Sequence, residues 1–291
     1  MIRCILRALV LGASLLTLTA AHGEESPLQF GVGLFQPDKD KNDATYRPLA
    51  EYLAAELGRK VVLRTVDTWE GLAKSLANGE TDLALMGPWG YVLANHQSGA
   101  QAIATNLYDG KPEYYAIIVT NPRTGIERIE DLRGRTFAFG DKGSTSGYLI
   151  PVYQFQKMGI DPDTFFSKVV YTKHQAIETQ VTRGELDAGA DYNRNRNAMI
   201  ADGLIKAEDS KIIWTSAPLP NDAFAVSAEL AKDQALVQRV QQALERVGSE
   251  LRARPDLLPA RYTGFVKSDD AAYAPIREAG LATGKLAPVR R

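Results

Sequence analysis

The sequence predicts an α/β fold of two lobes, each built around a mostly parallel sheet that is flanked by helices. Short apolar segments of strand length alternate with amphipathic helical segments, which is the pattern of parallel sheets with crossover helices. A second series of such units lies inside the first. The chain has 291 residues, a size at which one hydrophobic core usually gives way to two.

The first series opens with a predicted strand over 28–35 and the polar stretch PDKDKND. A helix over 45–58 follows, because Leu49, Leu53 and Leu57 recur at helical spacing before a glycine. The next predicted units are a strand over 60–65, a helix containing Trp69, Leu72, Ala73 and Leu76, a strand over 81–86 and the turn GPWGY.

The second series restarts after a strong predicted strand over 115–120. Its units are a strand over 137–139, a helix over 144–158, a strand over 168–172, a helix over 175–183, and strands over 186–190 and 211–215. Helical patterns over 229–255 and from 268 onwards complete the first series.

Two crossovers, near 115–121 and 212–219, follow from this nesting. They predict one lobe formed by 24–116 plus 217–291 and a second, inserted lobe formed by 118–214. Ligands of open α/β sheets bind beyond the carboxyl ends of the strands. Two such sheets that face each other therefore predict a binding cleft between the lobes.

The first 23 residues are predicted to be a signal peptide rather than part of the fold. Arg3 and Arg7 form a basic start, residues 8–21 are apolar or small, and cleavage after Gly23 fits the small residues there. This apolar segment is too short to span a bilayer, and a retained amphipathic anchor is the alternative. The mature chain is therefore expected in the periplasm.

Composition excludes several function classes. The chain has 34 basic and 35 acidic residues, and loss of Arg3 and Arg7 leaves 32 against 35, a net charge of −3. This balance gives no electrostatic footprint for nucleic acid or an anionic membrane. Cys4 is the only cysteine and lies in the signal peptide, so a disulfide framework, a cysteine nucleophile and cysteine-ligated metals are excluded. We expect neither a metal nor a cofactor.

The most informative motif is FAFGDKGSTSGYLI, residues 137–150. A strand enters a turn bounded by Gly143 and Gly147, and a helix then begins. Unpaired amides and the helix dipole favour an anion there, and the hydroxyls of Ser144, Thr145 and Ser146 add donors. An ordinary N-cap needs only one hydroxyl, so the run indicates a site for a tetrahedral oxyanion. The motif is not a P-loop, since G-x-x-x-x-G-K-[ST] is absent.

The segment GDKGSTSGYLIP resembles the signature of the phosphonate-type periplasmic solute-binding proteins of ABC transporters, which include phosphite and hypophosphite receptors. MGPWGYVLAN (86–95), YYAIIV (114–119), DLRGRTFAFGDKG, RGELDAGAD (183–191) and PLPNDAFAV (218–226) resemble the same family, over about residues 28–270. The resemblance implies a type II-like binding protein whose two hinged lobes close on a small phosphorus oxyanion. It implies no enzyme, and it implies an ABC permease in the inner membrane as the partner.

The resemblance places the ligand loop on Ser144, Thr145 and Ser146, and a contact on His174. It also assigns the turn containing Pro88, Trp89 and Tyr91 and the acid Asp222 to the cleft. Receptors for aminoalkylphosphonates hold an acid where this chain has Arg194, which cannot pair with an ammonium group. The departure favours phosphite, hypophosphite or a small alkylphosphonate.

Several of these residues also have a purely structural interpretation. Asp222 either accepts a hydrogen bond from a P–OH group or belongs to an ordinary turn after Pro220-Asn221. Asp191 either accepts from the ligand or starts a polar turn. Trp69 either offers an apolar face to a P–H or P–C group or packs in the core, and one of Tyr114 and Tyr115 is expected to face the cleft and the other the core. The structural alternatives for the rest are core packing for Trp89 and Tyr91 and a helix cap for His174.

Two rival functions remain. A hydrolase would use Gly143–Gly147 as a nucleophile elbow, but Thr145 stands at its centre and no acid is clearly placed to orient His96 or His174. A sensor that signals to a membrane histidine kinase would need the same closure around a ligand. A monomer is expected, since the receptor must close and dock.

Overall fold

The structure is a computed structural model that describes residues 25–33, 35, 36 and 38–288. The predicted signal peptide, 1–23, lies outside the described residues. The strands are β1 (Leu28–Gly33), β2 (Val61–Val66), β3 (Leu83–Met86), β4 (Gln101–Tyr108), β5 (Glu113–Tyr114), β6 (Ala116–Thr120), β7 (Thr136–Phe139), β8 (Lys168–Tyr171), β9 (Ala188–Tyr192), β10 (Lys211–Thr215), β11 (Leu219–Pro220), β12 (Ala223–Val226) and β13 (Tyr262–Lys267).

The helices flank these strands, and none in the described part of the chain is long and apolar enough to cross a membrane. They are α1 (Lys39–Leu57), α2 (Trp69–Ala77), α3 (Pro88–Ser98), α4 (Ile150–Lys157), α5 (Pro162–Phe165), α6 (His174–Arg183), α7 (Asn193–Ala201), α8 (Gln234–Glu250) and α9 (Ala274–Ala282). A π-helical segment, Thr145–Leu149, runs directly into α4. Short 3₁₀ segments occupy Pro122–Thr124, Ile129–Leu132, Ala207–Asp209, Leu230–Lys232 and Asp270–Tyr273.

Two sheets organise the described chain. The six-stranded sheet has the order β13-β4-β12-β3-β1-β2, and the five-stranded sheet has the order β10-β6-β9-β7-β8. In the larger sheet β1 to β4 run in one direction, against β12 and β13. In the smaller sheet only β6 opposes the other strands. The predicted fold class, two mostly parallel sheets flanked by helices, is confirmed.

Hydrophobic clusters cover both faces of each sheet. In the larger sheet Phe30 belongs to a cluster with residues of α1 and α8, whereas Met86 belongs to a cluster with residues of α2, α3 and α9. In the smaller sheet Phe137 packs in an aromatic cluster that includes Phe155 of α4, and Ala138 packs beside Ile177 of α6. Sheets covered on both faces have continuous apolar strands, which explains the short apolar runs in the sequence.

A ribbon of two short strands, each of two residues, lies where the chain passes between the sheets. After β4 the chain forms β5 and then enters the smaller sheet as β6; it leaves through β10 and β11 and returns as β12. β5 and β11 pair antiparallel, with Leu219 opposite Tyr114 and Pro220 opposite Glu113. The two connections therefore lie side by side.

Three local predictions were wrong. The helix predicted over 45–58 starts earlier, because Asp38 within the polar stretch PDKDKND accepts a hydrogen bond from the Lys41 amide and caps α1, which begins at Lys39. The expected turn GPWGY is instead the first turn of α3, with Pro88 in the favoured first position. The third error is the omission of β4, β12, β13 and α7.

Candidate ligand-binding site

A cavity of about 280 Å³ lies beyond the carboxyl ends of strands from both sheets. Most of its lining residues lie within a few residues after the end of a strand: β1, β2, β3, β7, β8 or β9. The lining consists of Phe35, Asp67, Trp69, Gly87, Tyr114, Asp141, Gly143, Ser144, Ser146, Tyr171, Thr172, Lys173, His174, Gln175, Tyr192, Arg194 and Asp222. This is the position in which open α/β sheets bind their ligands.

Five helices begin at this cavity. Lining residues include Trp69 at the start of α2, Gly87 before α3, Ser144 before the π-helical segment, His174 at the start of α6, and Tyr192 before α7. The first amides of each helix have no carbonyl partner within the helix backbone, and each helix start carries a partial positive charge. Their convergence favours an anion in the cavity.

Ser144 begins the π-helical segment and holds its first turn. Its Oγ accepts a hydrogen bond from the Gly147 amide at 3.0 Å and lies 3.2 Å from Nε2 of His174. A Cβ on Gly147 would lie 2.8 Å from Cε1 of His174 and 3.0 Å from Cα of Gly140, closer than packing allows. Glycine at 147 therefore lets the imidazole approach the start of the helix. Ser146 also lines the cavity.

Thr145 is buried, like its two neighbours, but it does not line the cavity. Its Oγ1 accepts a hydrogen bond from the Trp89 amide at 2.8 Å. The run of three hydroxyls therefore divides: Ser144 and Ser146 lie on the cavity, and Thr145 bonds to the opposite half of the molecule.

His174 begins a chain of buried hydrogen bonds that leads away from the cavity. Its Nδ1 lies 2.7 Å from Oδ1 of Asp191, whose Oδ2 accepts from Asn195 Nδ2 at 2.8 Å. Glu178 interacts with Asp191 and accepts from the Ser210 hydroxyl at 2.9 Å. Asp191, predicted as a ligand contact, is fully buried and instead positions the His174 ring.

Burial sets the protonation states of the side chains that these hydrogen bonds connect. It raises the pKa of Glu178 to about 9 and that of Asp191 to about 7, so Glu178 holds the proton that the two carboxyl groups share. Burial also lowers the pKa of His174 to about 4, so its ring is neutral at pH 7. With the ring proton on Nδ1 toward Asp191, Nε2 accepts from the Ser144 hydroxyl.

Ser144, His174 and Asp191 stand in the hydrogen-bond order of a Ser-His-acid triad. The expectation that no acid orients the histidine was therefore wrong. However, Ser144 Oγ also caps the helix by accepting from the Gly147 amide, which ties it to the helix start. Within the described residues no cluster of three or more His, Cys, Asp or Glu side chains could hold a metal.

Arg194 and Asp222 form a buried ion pair that lines the same cavity. Nη2 of Arg194 lies 3.3 Å from Oδ2 of Asp222, which also accepts from Asn106 Nδ2 at 3.1 Å. Burial by itself would lower the pKa of Arg194. The nearby oxygens of Tyr262 and Asp222 have a larger, opposite effect, so the pKa lies above its ordinary value. The predicted acceptor Asp222 thus lies in the cavity already paired with a cation.

The side chains of Trp89 and Tyr91 do not line the cavity, contrary to the expectation from the resemblance. Both are buried in the cluster between the larger sheet and α9. The Tyr91 hydroxyl donates to Oδ1 of Asp270 at 3.0 Å, and its ring lies 4.7 Å from that of Tyr273. Of this turn, Gly87 reaches the cavity and the Trp89 amide bonds to Thr145.

Aromatic rings form much of the remaining wall. Trp69 lines the cavity as predicted and packs edge-on against Phe35 at 4.8 Å. Tyr114 is buried, lines the cavity and sits on the ribbon strand β5. Phe35, Tyr171 and Tyr192 were not predicted. Their shared sequence signal is that each ends or closely follows a strand.

Comparison with known proteins decides the family. Residues 34–273 match the family described as ABC transporter, phosphonate, periplasmic substrate-binding protein. The chain belongs to this family. It is therefore the periplasmic substrate-binding component of an ABC transporter, with a membrane permease as its partner. The family is one of solute-binding proteins and not of enzymes, so the triad-like geometry has no catalytic counterpart there.

Relatives of the family include the phosphonates-binding periplasmic protein of Escherichia coli, which is 24% identical over 271 residues, covering 91% of this chain and 79% of the relative. The structure of a binding-protein component of an ABC phosphonate transporter from Pseudomonas aeruginosa has a TM-score of 0.78 and is 22% identical; the match covers 89% of this chain and 87% of that protein. The structure of PhnD1 from Prochlorococcus marinus in complex with methylphosphonate has a TM-score of 0.79 and is 19% identical; the match covers 89% of this chain and 98% of that protein. The two solved structures share the fold of this chain. The family match supports transport and gives the sensory alternative no support.

Proposed function

We propose that this chain binds a small phosphorus oxyanion with an uncharged substituent and delivers it, as a monomer, to the permease. The ligand class comprises phosphite, hypophosphite and small alkylphosphonates. The observation that carries the proposal is the start of the π-helical segment, where Ser144, Ser146 and His174 line a cavity that five helix starts surround. Methylphosphonate, bound by the relative from Prochlorococcus marinus, belongs to this class.

The oxyanion binds at the helix start, beside Ser144 and His174. Hydrogen bonds to a charged group contribute about 1.5–3 kcal/mol each, so a few of them support micromolar binding. A substituent on phosphorus then lies against aromatic rings of the lining, among them Tyr114 and Tyr192. The cavity volume of about 280 Å³ equals that of roughly nine water molecules, which leaves room for such a group.

Closure of two lobes completes the mechanism. We assign 24–116 plus 217–291 to lobe 1 and 118–214 to lobe 2, with the β5–β11 ribbon beside the hinge. A ligand that contacts both lobes shifts the population toward the closed form, which the permease then recognises.

A thermal-shift screen tests this proposal. Phosphite, hypophosphite, methylphosphonate, 2-aminoethylphosphonate, phosphate and sulfate are added at equal concentrations, and a bound ligand raises the melting temperature by mass action. We expect the largest increases with methylphosphonate, phosphite or hypophosphite. A screen in which no phosphorus compound raises the melting temperature, or only sulfate does, contradicts the proposed ligand class.

A further inference from the structure

Arg194 lies inside a cage of tyrosine rings. Its Cζ is 4.7 Å from the ring centroid of Tyr114, 5.3 Å from that of Tyr108, and 5.6 Å from those of Tyr192 and Tyr262. The rings form two edge-to-face pairs, Tyr108 with Tyr262 and Tyr114 with Tyr192. The guanidinium is therefore held mainly by the faces and edges of aromatic rings.

Asp222 supplies the single carboxylate of this cage, at 3.3 Å from Nη2 of Arg194. Nε and Nη1 of Arg194 are buried and have no hydrogen-bond partner among the described residues. Several aromatic rings with one carboxylate are the chemistry that proteins use to bind ammonium ions of ligands. Here the cation belongs to the protein itself.

The cage opens into the cavity of the binding site. Tyr114, Tyr192, Arg194 and Asp222 all line it, and the Tyr192 ring also packs edge-on against His174 at 4.7 Å. A substituent on an oxyanion bound near His174 therefore extends toward the cage. What occupies the cage decides which substituents are accepted.

We propose that Arg194 fills an ammonium-binding cage with the chain's own cation and thereby restricts the ligands to phosphorus oxyanions without a cationic substituent. The inference rests on the proposed function, because it concerns the substituent of the same ligand. A second cation would meet the charge of Arg194 where water is largely excluded and would find Asp222 already paired. An uncharged substituent meets neither obstacle. Arg194 is thus a specificity-determining residue.

The test compares two ligands of equal size, 2-aminoethylphosphonate and propylphosphonate, which differ in an ammonium and a methyl group. By calorimetry we expect the wild-type chain to prefer propylphosphonate at least ~10-fold, equivalent to about 1.4 kcal/mol. Arg194→Ala empties the cage and leaves Asp222 available to an ammonium group. The preference should then reverse, to at least ~10-fold in favour of 2-aminoethylphosphonate.

Two control variants isolate the effect of the caged charge. Arg194→Lys keeps a cation among the rings and should keep the wild-type preference. Arg261→Ala removes an exposed arginine that lies 4.9 Å from the same Tyr108 ring and pairs with Asp109. It should leave the ratio of the two affinities unchanged.

A folded Arg194→Ala variant that binds propylphosphonate and still prefers it ~10-fold overturns the proposal. A second measurement needs no phosphonate: ethylammonium chloride should raise the melting temperature of Arg194→Ala more than sodium chloride does, and should not raise that of the wild type. This increase in melting temperature can be measured even if Arg194→Ala is only marginally folded. Its absence contradicts the proposal that the emptied cage binds an ammonium group. Failure of the wild type to bind any phosphonate contradicts instead the function proposed above.

Discussion

Thr145 and Trp89 connect the two halves of the molecule directly, through the bond from the Trp89 amide to Thr145 Oγ1. Thr145 follows a strand of the smaller sheet, whereas Trp89 follows a strand of the larger one. Both residues are buried. Loss of the acceptor would leave a buried N–H unpaired, at a cost of about 1–3 kcal/mol in the closed form.

Thr145→Val should therefore shift the ligand-free chain toward an open form, because the amide of Trp89 regains water when the halves separate. Small-angle X-ray scattering should report a larger radius of gyration than for the wild type. Thr283→Val is the matched control, since the Thr283 hydroxyl bonds only to carbonyls of its own helix. Equal radii for Thr145→Val and the wild type would show that this bond does not hold the halves together.

Removal of the two cavity hydroxyls should weaken ligand binding. We expect the double variant Ser144→Ala/Ser146→Ala to bind methylphosphonate at least ~30-fold more weakly, equivalent to about 2 kcal/mol, because two donors to a charged group are lost. Calorimetry on the folded variant measures this. Ser249→Ala, which removes an exposed hydroxyl, is the control. Undiminished affinity in the double variant would place the anion elsewhere in the cavity.

Binding of an anion should be coupled to proton uptake by His174. Burial lowers the pKa of the ring to about 4 in the free protein, and a nearby negative charge favours the protonated ring and raises that pKa. Above about pH 4, and up to the raised pKa of the complex, the complex should then hold more protons than its separated components. Calorimetry in two buffers of different ionisation enthalpy counts these protons.

His174→Gln is the variant that separates the imidazole from the ligand, since a phosphonate can itself take up a proton. The proton uptake of the wild type should exceed that of His174→Gln. Equal uptake by both proteins would show that the histidine stays neutral in the complex.

Glu178 should make stability depend on pH in the neutral and alkaline range. Its pKa is raised to about 9 in the folded chain, above the ordinary value of 4.5. Between these values the unfolded chain has released a proton that the folded chain retains, so stability falls as pH rises from 4.5 through 9. Glu178→Gln has no proton to lose, and its amide can donate to Asp191 as the protonated carboxyl does.

The melting temperature of Glu178→Gln, relative to that of the wild type, should therefore increase from pH 5 to pH 8.5. Glu178→Ala should melt below the wild type at pH 5, because it removes the proton that Glu178 donates to Asp191 and opens a cavity. A difference between Glu178→Gln and the wild type that stays constant with pH would mean that Glu178 is ionised in the folded chain.

Much of the fold could be predicted from local patterns. The strands β1, β2, β3, β6 and β7 are short apolar runs, and α2 and α6 have apolar residues at helical spacing. β4, β12 and β13 were missed because their pairing is antiparallel and long-range, and because Thr105 and Asn106 interrupt the apolar run of β4. Nothing local shows which distant strand lies beside them.

The position of the site could be predicted from the sequence, but several of its contacts could not. The glycine-bounded turn drew attention to Ser144 and Ser146, and the strand end drew attention to Tyr114. The sequence could not show that Thr145 points to Trp89, since three consecutive residues of a helix start point in different directions. Nor could it show the rings around Arg194, because Tyr108 and Tyr262 are far apart in the chain and meet only through the pairing of β4 and β13.

Tyr114 belongs both to the ribbon strand β5 and to the wall against which a substituent would rest. In the proposed closure, a bulkier cargo would press on one of the two strands of this ribbon. Cargo size and the final angle between the lobes would in this way be mechanically linked. The permease would meet a graded series of docking surfaces rather than one, so the choice of what is imported is made partly at the membrane.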